Sequence, residues 1–220
     1  MSDTTTIEIA SESMAEVLAR LGDVPLDRLR TPPSLGTATE IDLIAALEAP
    51  RKRICELIDG ILVEKAVGFR ESLLGRRLVV LMELFVYSRN LGILTLPDGM
   101  MRLAAGRVRA PDIAFVSWDR IPNRCIPTDP VPDLVPDLAV EILSEGNTPG
   151  EMRLKREDYF RAGTVLVWQV DPRRRQVSVY AQVDPPAVVL MATDMLMGDP
   201  VLPGFALPLA DLFAELDRHG

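Results

Sequence analysis

The chain is predicted to fold as an α+β domain: a mixed, mostly antiparallel sheet flanked by helices, preceded by a helical N-terminal extension. A hairpin pattern opens the main body near residue 54, and a long stretch of helical periodicity follows it. Later strand-like runs are separated by turns and one well-capped helix, without regular alternation of strand and helix. With 220 residues, 48% of them hydrophobic, the chain can bury a substantial core, and one domain is the expectation.

Residues 1–50 read as the extension and 51–220 as the main domain. The extension carries a helix over Glu12 to Leu21, a connector through Pro32-Pro33 and a second helix over Thr39 to Leu47. Ile-Cys-Glu-Leu-Ile, Asp59-Gly60 and Ile-Leu-Val-Glu-Lys then form a hairpin signal, because Asp-Gly satisfies the positive backbone angles of a tight turn. Leu74, Leu78, Leu81 and Phe85 recur at helical spacing and predict a long amphipathic helix over Glu71 to Arg89. Short strands are expected at Ile93 to Leu96, Met100 to Leu103 and Asp112 to Val116.

The prolines between Trp118 and Pro136 exclude a regular element there and predict a long surface loop. Asp137 to Leu143 reads as a buried strand. Thr148 as N-cap, Pro149 at the first helical position and Glu151 completing a capping box start the next helix, which Gly163 stops. A second hairpin turns at Asp171-Pro172 between Thr164 to Val170 and Gln176 to Ala181, and a short helix covers Ala210 to Leu216.

Composition excludes several chemistries. A net charge of -8 argues against nucleic-acid binding by bulk positive charge. Local patches remain open at Arg51-Lys52-Arg53, the Arg102, Arg107 and Arg109 group, Arg153 with Arg156, and Arg173-Arg174-Arg175, each of which also reads as a solvated face or turn. Cys55 and Cys125 lack zinc-site spacing and read as reduced thiols. No signal segment or run of about 20 apolar residues is present, so a cytoplasmic location away from membranes is expected. The sole histidine, His219, stands beside the C-terminus, which disfavours Ser-His-Asp and Cys-His hydrolases and histidine-ligated zinc enzymes. Chemistry is left to carboxylates, lysine, tyrosine or metal-bound water.

Within that set, Asp112, Glu141 and Lys155 stand out. A carboxylate inside a buried strand needs compensation, and a bound cation is one of the few partners that provides it. Asp137 and Glu141 share a strand and stand roughly 13 Å apart at ~3.3 Å per residue, too far to share one ion. Asp112 opens a different strand, and facing residues on neighbouring strands approach within ~5.5 Å. Glu141 alone fits equally a rim glutamate paired to an arginine. Lys155 lies on a helix stripe with Met152, Tyr159 and Ala162 that is expected to face the sheet; its alternative is an exposed pair with Glu151. Glu56 and Glu64 could approach the same pocket or line the solvent face of the first hairpin, and Tyr159 could orient a phosphate or fill core.

The ordered set Glu-Leu-Ile-Asp-Gly at 56–60, Pro-Asp-Ile-Ala-Phe-Val at 111–116, Asp-Leu-Ala-Val-Glu-Ile-Leu-Ser at 137–144, Lys155 with Tyr159 and Ala162-Gly163, Val-Trp-Gln-Val-Asp-Pro at 167–172 and Leu-Pro-Gly-Phe at 202–205 resembles the Uma-two family. This is a widespread bacterial group regarded as endonucleases with the restriction-endonuclease-like PD-(D/E)XK fold, and the likeness covers roughly Arg53 to Leu216. It implies an endonuclease that cuts DNA with Mg²⁺ (or Mn²⁺), with Asp112 and Glu141 as metal ligands and Lys155 as catalytic lysine. In the general E-X-K pattern the lysine follows the glutamate by two residues, a place held here by Leu143; the family displaces it to the following helix. Glu71 stands where many members have histidine, and it fits either an additional ligand or a residue favouring a helix N-terminus. A homodimer is expected because cutting both strands of a duplex needs two sites. The rivals are a non-catalytic binding or regulatory module on the same scaffold and, with less support given only two tryptophans, a carboxylate-pair glycosidase.

Overall fold

The computed structural model describes residues 13–217; His219 and the start of the first predicted helix lie outside them. Helix α1 (Met14–Arg20) is capped reciprocally by Ser13 and Glu16, and α2 (Glu40–Glu48) by Thr39 and Asp42. Strands β1 (Cys55–Ile58) and β2 (Ile61–Glu64) form the expected hairpin. Its turn residues Asp59 and Gly60 both have positive φ. Helix α3 (Phe69–Arg89) is followed by β3 (Gly92–Thr95), β4 (Met101–Ala104), β5 (Arg107–Arg109) and β6 (Ile113–Ser117). The three-residue β5 is too short for sequence periodicity to show.

The proline-rich loop contains two single 3-10 turns before β7 (Leu138–Ile142) and α4 (Pro149–Ala162). Next come β8 (Leu166–Asp171), β9 (Gln176–Tyr180), β10 (Val188–Met191), β11 (Met195–Met197), β12 (Ala206–Pro208) and α5 (Leu209–Phe213).

Six strands form the main sheet in the order β10-β9-β8-β7-β6-β3, in which only β7 and β8 run parallel. That pair is joined by α4, the long crossover a parallel connection requires. A second sheet, β2-β1-β5-β4, is antiparallel throughout, and β11 pairs with β12.

The largest core cluster joins α3 to the main sheet: Leu74, Leu78, Met82 and Val86 pack with Phe115, Val140 and Trp168. The buried stripe of α3 is therefore rotated by one residue at its C-terminal half. Leu81 and Phe85 are only partly buried at its edge.

Helix α4 is the exception to amphipathic patterning. Glu151, Met152, Lys155, Arg156, Asp158 and Tyr159 are all buried, so polar side chains on several faces of the helix are out of water. Thr148 caps it as expected, its hydroxyl accepting from the Glu151 amide at 3.0 Å. The second half of the expected capping box does not form. The Glu151 carboxylate instead takes a bidentate contact from Arg28, at 2.9 and 2.6 Å, and a bond from Asn147.

Arg28 belongs to the N-terminal segment, which meets the second sheet through a bridge between Leu29 and Val63. At Gly22 the backbone of this segment lies directly on that of Gly150. Gly22 has φ +76°, and a Cβ there would stand 2.3 Å from the Glu151 nitrogen. Among the described residues, no helix is long and apolar enough to cross a membrane.

Candidate active site

Antiparallel register assembles the site. Ile113 of β6 is paired with Val140 of β7, which sets Asp112, one residue earlier, beside Glu141, one residue later. Asp112 uses one carboxylate oxygen to accept from the Ile142 amide at 2.7 Å, which fixes its direction. From α4, the Lys155 ammonium reaches between Glu141 and Glu56, 3.0 Å from each. The Tyr159 hydroxyl, one turn further on, donates to the other Glu141 oxygen at 2.6 Å. Lys155 and Tyr159 thus meet at Glu141, Glu56 stands beside Lys155, and strand register sets Asp112 alongside Glu141.

Three further side chains that sequence reasoning did not assign to the site complete the network. Lys65, just beyond β2, donates to the Ala110 carbonyl and stands 2.9 Å from Asp112 and 3.9 Å from Glu141. Arg109 of β5 contacts Glu56 at 2.7 Å on one side and Asp158 of α4 at 2.5 Å on the other. Their only sequence signal was charge inside elements with apolar neighbours; Lys65 ends the Ile-Leu-Val-Glu-Lys run and Arg109 precedes Ala110-Pro111.

Of the central three, Asp112 is the partly open one, with 21% of its side chain exposed. It lines a cleft of about 390 Å³ together with Ile142, Ser72, Gly75 and Glu71. Glu141 and Lys155 lie buried behind it. Glu71, at the N-terminus of α3, extends its carboxylate over Gly68. A second groove of about 750 Å³ shares Ala66, Val67, Gly68 and Glu71 with the cleft and adds Arg28, Arg70 and Arg173.

Glu64 does not join the site; Arg30 and Arg53 hold it on the other side of the hairpin. Most members of the basic clusters are paired as well: Lys52 with Asp98, Arg102 with Glu40, Arg156 with Asp184, Arg173 with Glu145 and Arg175 with Asp217.

The family model Uma2, described as "Putative restriction endonuclease", matches residues 42–210. The chain belongs to the Uma2 family. The crystal structure of a putative nuclease of DUF820 from Anabaena variabilis ATCC 29413 is similar to it, with a TM-score of 0.65 at 22% identity. The match covers 74% of this chain and 90% of the other. At that identity the likeness shows the fold, a nuclease fold as expected. No curated protein matches.

Burial and charge work against each other in this Uma2 site. Burial pushes the Glu56 carboxyl up, but Lys155, Arg109 and Lys65 outweigh it and hold the group below the usual carboxylate range. At Glu141 burial wins: Lys155 and Lys65 oppose it, Asp112 and Glu56 add to it, and the carboxyl is raised. Burial would lower Lys155, yet Glu141, Glu56 and Glu151 surround it and raise it, so it remains an ammonium. Tyr159 is pushed up by burial and by the two neighbouring glutamates, which keeps its hydroxyl a donor.

Among the described residues, no group of three or more His, Cys, Asp or Glu side chains is placed to hold a metal ion. Two carboxylates nevertheless suit Mg²⁺, which commonly takes one or two from the protein and completes its shell with water and phosphate. A cation already lies against both: the Lys65 ammonium. The donor set therefore fits a divalent ion.

Proposed function

We propose that this Uma2 protein is a divalent-metal-dependent DNA endonuclease that hydrolyses phosphodiester bonds at the Asp112, Glu141 and Lys155 site. The observation that carries this reading is the pairing of two carboxylates on adjacent strands with one buried ammonium 3.0 Å from the inner carboxylate. Asp112 and Glu141 are the residues that would hold Mg²⁺ or Mn²⁺. Such an ion supplies Lewis acidity toward the phosphodiester and its attacking water.

The chain's own groups do the positioning. The Ile142 amide aims Asp112, and the Tyr159 hydroxyl fixes one oxygen of Glu141. Lys155, held by Glu56 and Glu141, provides a preorganised positive charge where negative charge develops on the phosphate. Arg109 holds Glu56 in place and so acts on Lys155 through it. Arg70 and Arg173 on the groove continuing from the cleft support a path for a phosphate backbone despite the acidic net charge.

One observation favours a non-catalytic binding module on the same scaffold: Glu56, Glu141 and Asp112 already have internal cationic partners. Nicking of supercoiled plasmid in Mg²⁺ discriminates. The wild type is expected to nick, while Asp112→Asn and Glu141→Gln lose at least about a hundredfold in rate, the scale of removing a group that acts only in the transition state. Equal rates in wild type and Asp112→Asn would end the nuclease reading.

A further inference from the structure

Lys65 lies against both of the carboxylates that would hold a divalent ion. Its side chain is 4% exposed, and its ammonium lies 2.9 Å from Asp112 and 3.9 Å from Glu141, with the Ala110 carbonyl as a further anchor. Lys155 does not substitute for it, because that ammonium is held by Glu141 and Glu56, 3.0 Å from each. Without Lys65, Asp112 and Glu141 would face each other with Lys155 alone to compensate them, and only on Glu141.

We propose that Lys65 is a built-in counter-ion of this site, holding the Asp112 and Glu141 carboxylates in the metal-free protein and being displaced from Asp112 when a divalent ion enters. The inference rests on the metal-site reading above.

The physical argument is one of competition. Mg²⁺ would draw its oxygen ligands to about 2.1 Å, whereas the ammonium already sits 2.9 Å from an Asp112 oxygen, so an ion held there would compete with it for the carboxylate. The lysine also has somewhere to go. Lys65 is followed directly by Ala66, Val67 and Gly68, which form the shared wall of the cleft and the arginine-bearing groove. On this proposal, rotation of the side chain would move its ammonium from the carboxylates toward that groove, where a nucleic-acid phosphate would meet it. Metal entry then exchanges a tethered monovalent cation for a free divalent one. The site of this chain would be gated by the amine of Lys65, just beyond β2, as well as served by the amine of α4.

The test is Mn²⁺ binding, followed by loss of the free-ion signal in electron paramagnetic resonance, together with thermal unfolding in EDTA and in Mn²⁺. Lys65→Met is expected to bind Mn²⁺ about tenfold to a hundredfold more tightly than wild type, the scale of removing one competing charge-assisted hydrogen bond. In EDTA it should melt below wild type, and Mn²⁺ should raise its melting temperature by more than it raises that of wild type. Lys65→Gln, which keeps a donor for the Ala110 carbonyl, serves as the second variant if the methionine does not fold. Adding Asp112→Asn to either should abolish the gain.

If both Lys65 variants bind Mn²⁺ no more tightly than wild type, the counter-ion role is overturned while the metal site stands. Absence of binding in wild type and in both variants overturns the metal site as well. Binding that appears only in the Lys65 variants supports the role.

Discussion

Replacing Arg109 by methionine tests whether the charged layer between the two sheets is held as described. Arg109 is 1% exposed and makes three charge-assisted contacts: one guanidinium nitrogen with Glu56 at 2.7 Å, and two with Asp158 at 2.9 and 2.5 Å. Methionine fills much of the volume of the stem but leaves both carboxylates behind, and breaking a buried pair from one side costs about 3–5 kcal/mol. The lower end applies here, because Glu56 keeps Lys155 at 3.0 Å and Asp158 keeps Arg107 at 3.6 Å. A loss of about 3 kcal/mol corresponds to a fall in Tm of roughly 6–12 °C for a chain of this size.

Urea denaturation followed by far-ultraviolet circular dichroism gives the number, read from the midpoint at an unchanged slope. The double variant Arg109→Met with Asp158→Leu should recover about half of the loss, since an apolar replacement of both partners removes one stranded carboxylate. A single-variant loss below about 1 kcal/mol, the range of an exposed ion pair, would refute the reasoning. So would a double variant no more stable than the single one.

Two further outcomes concern the N-terminal segment. Burial pushes Glu151 up, but its bonds from Arg28 and the field of Lys155 prevail and hold its carboxyl below the ordinary range. A folded-state value below the unfolded one stabilises the protein above the unfolded pKa of about 4.3, and that stabilisation disappears as pH falls through the folded value. Glu151→Gln should therefore be less stable than wild type by about 2 kcal/mol at pH 7. The gap in urea midpoint should narrow on acidification below pH ~4, and an equal gap at both pH values would contradict the Arg28 contact. Gly22→Ala should lose more than about 1 kcal/mol, because alanine is strained at positive φ and its Cβ would meet the α4 backbone. An unchanged melting temperature in differential scanning calorimetry would show that this close approach does not matter.

Legibility in the sequence followed the kind of signal each element carried. The Asp59-Gly60 hairpin, the Leu74 to Val86 helix and the Thr148 to Gly163 helix announced themselves through turn chemistry, spacing and caps. Strands β10 to β12 are not legible because they are three or four residues long and apolar at exposed as well as buried positions: Val188, Val189, Met191, Met195 and Met197 are exposed while Leu196 and Leu207 are buried, so no apolar-polar alternation marks them. Glu151 was assigned to a capping box because the local pattern allows it. The guanidinium that takes it comes from 123 residues away, and local patterning contains no information about that partner.

What the sequence determined by itself was which carboxylates could cooperate: strand rise excludes Asp137 with Glu141 and leaves Asp112 and Glu141 on different strands, while helix periodicity puts Lys155 on a stripe expected to face the sheet, with an exposed pair to Glu151 as its alternative. Those inferences follow from strand rise and helix periodicity, which are local geometry. The tertiary structure decided which other charges join them. Lys65 comes from just beyond β2 and Arg109 from β5, two strands of the second sheet, and Asp158 from a face of α4 that periodicity would assign to solvent. Hydrophobic pattern registers a buried face only when its partners are apolar. Here α4 is covered on several sides by oppositely charged groups, so burial was achieved by pairing charges that only the folded chain brings together.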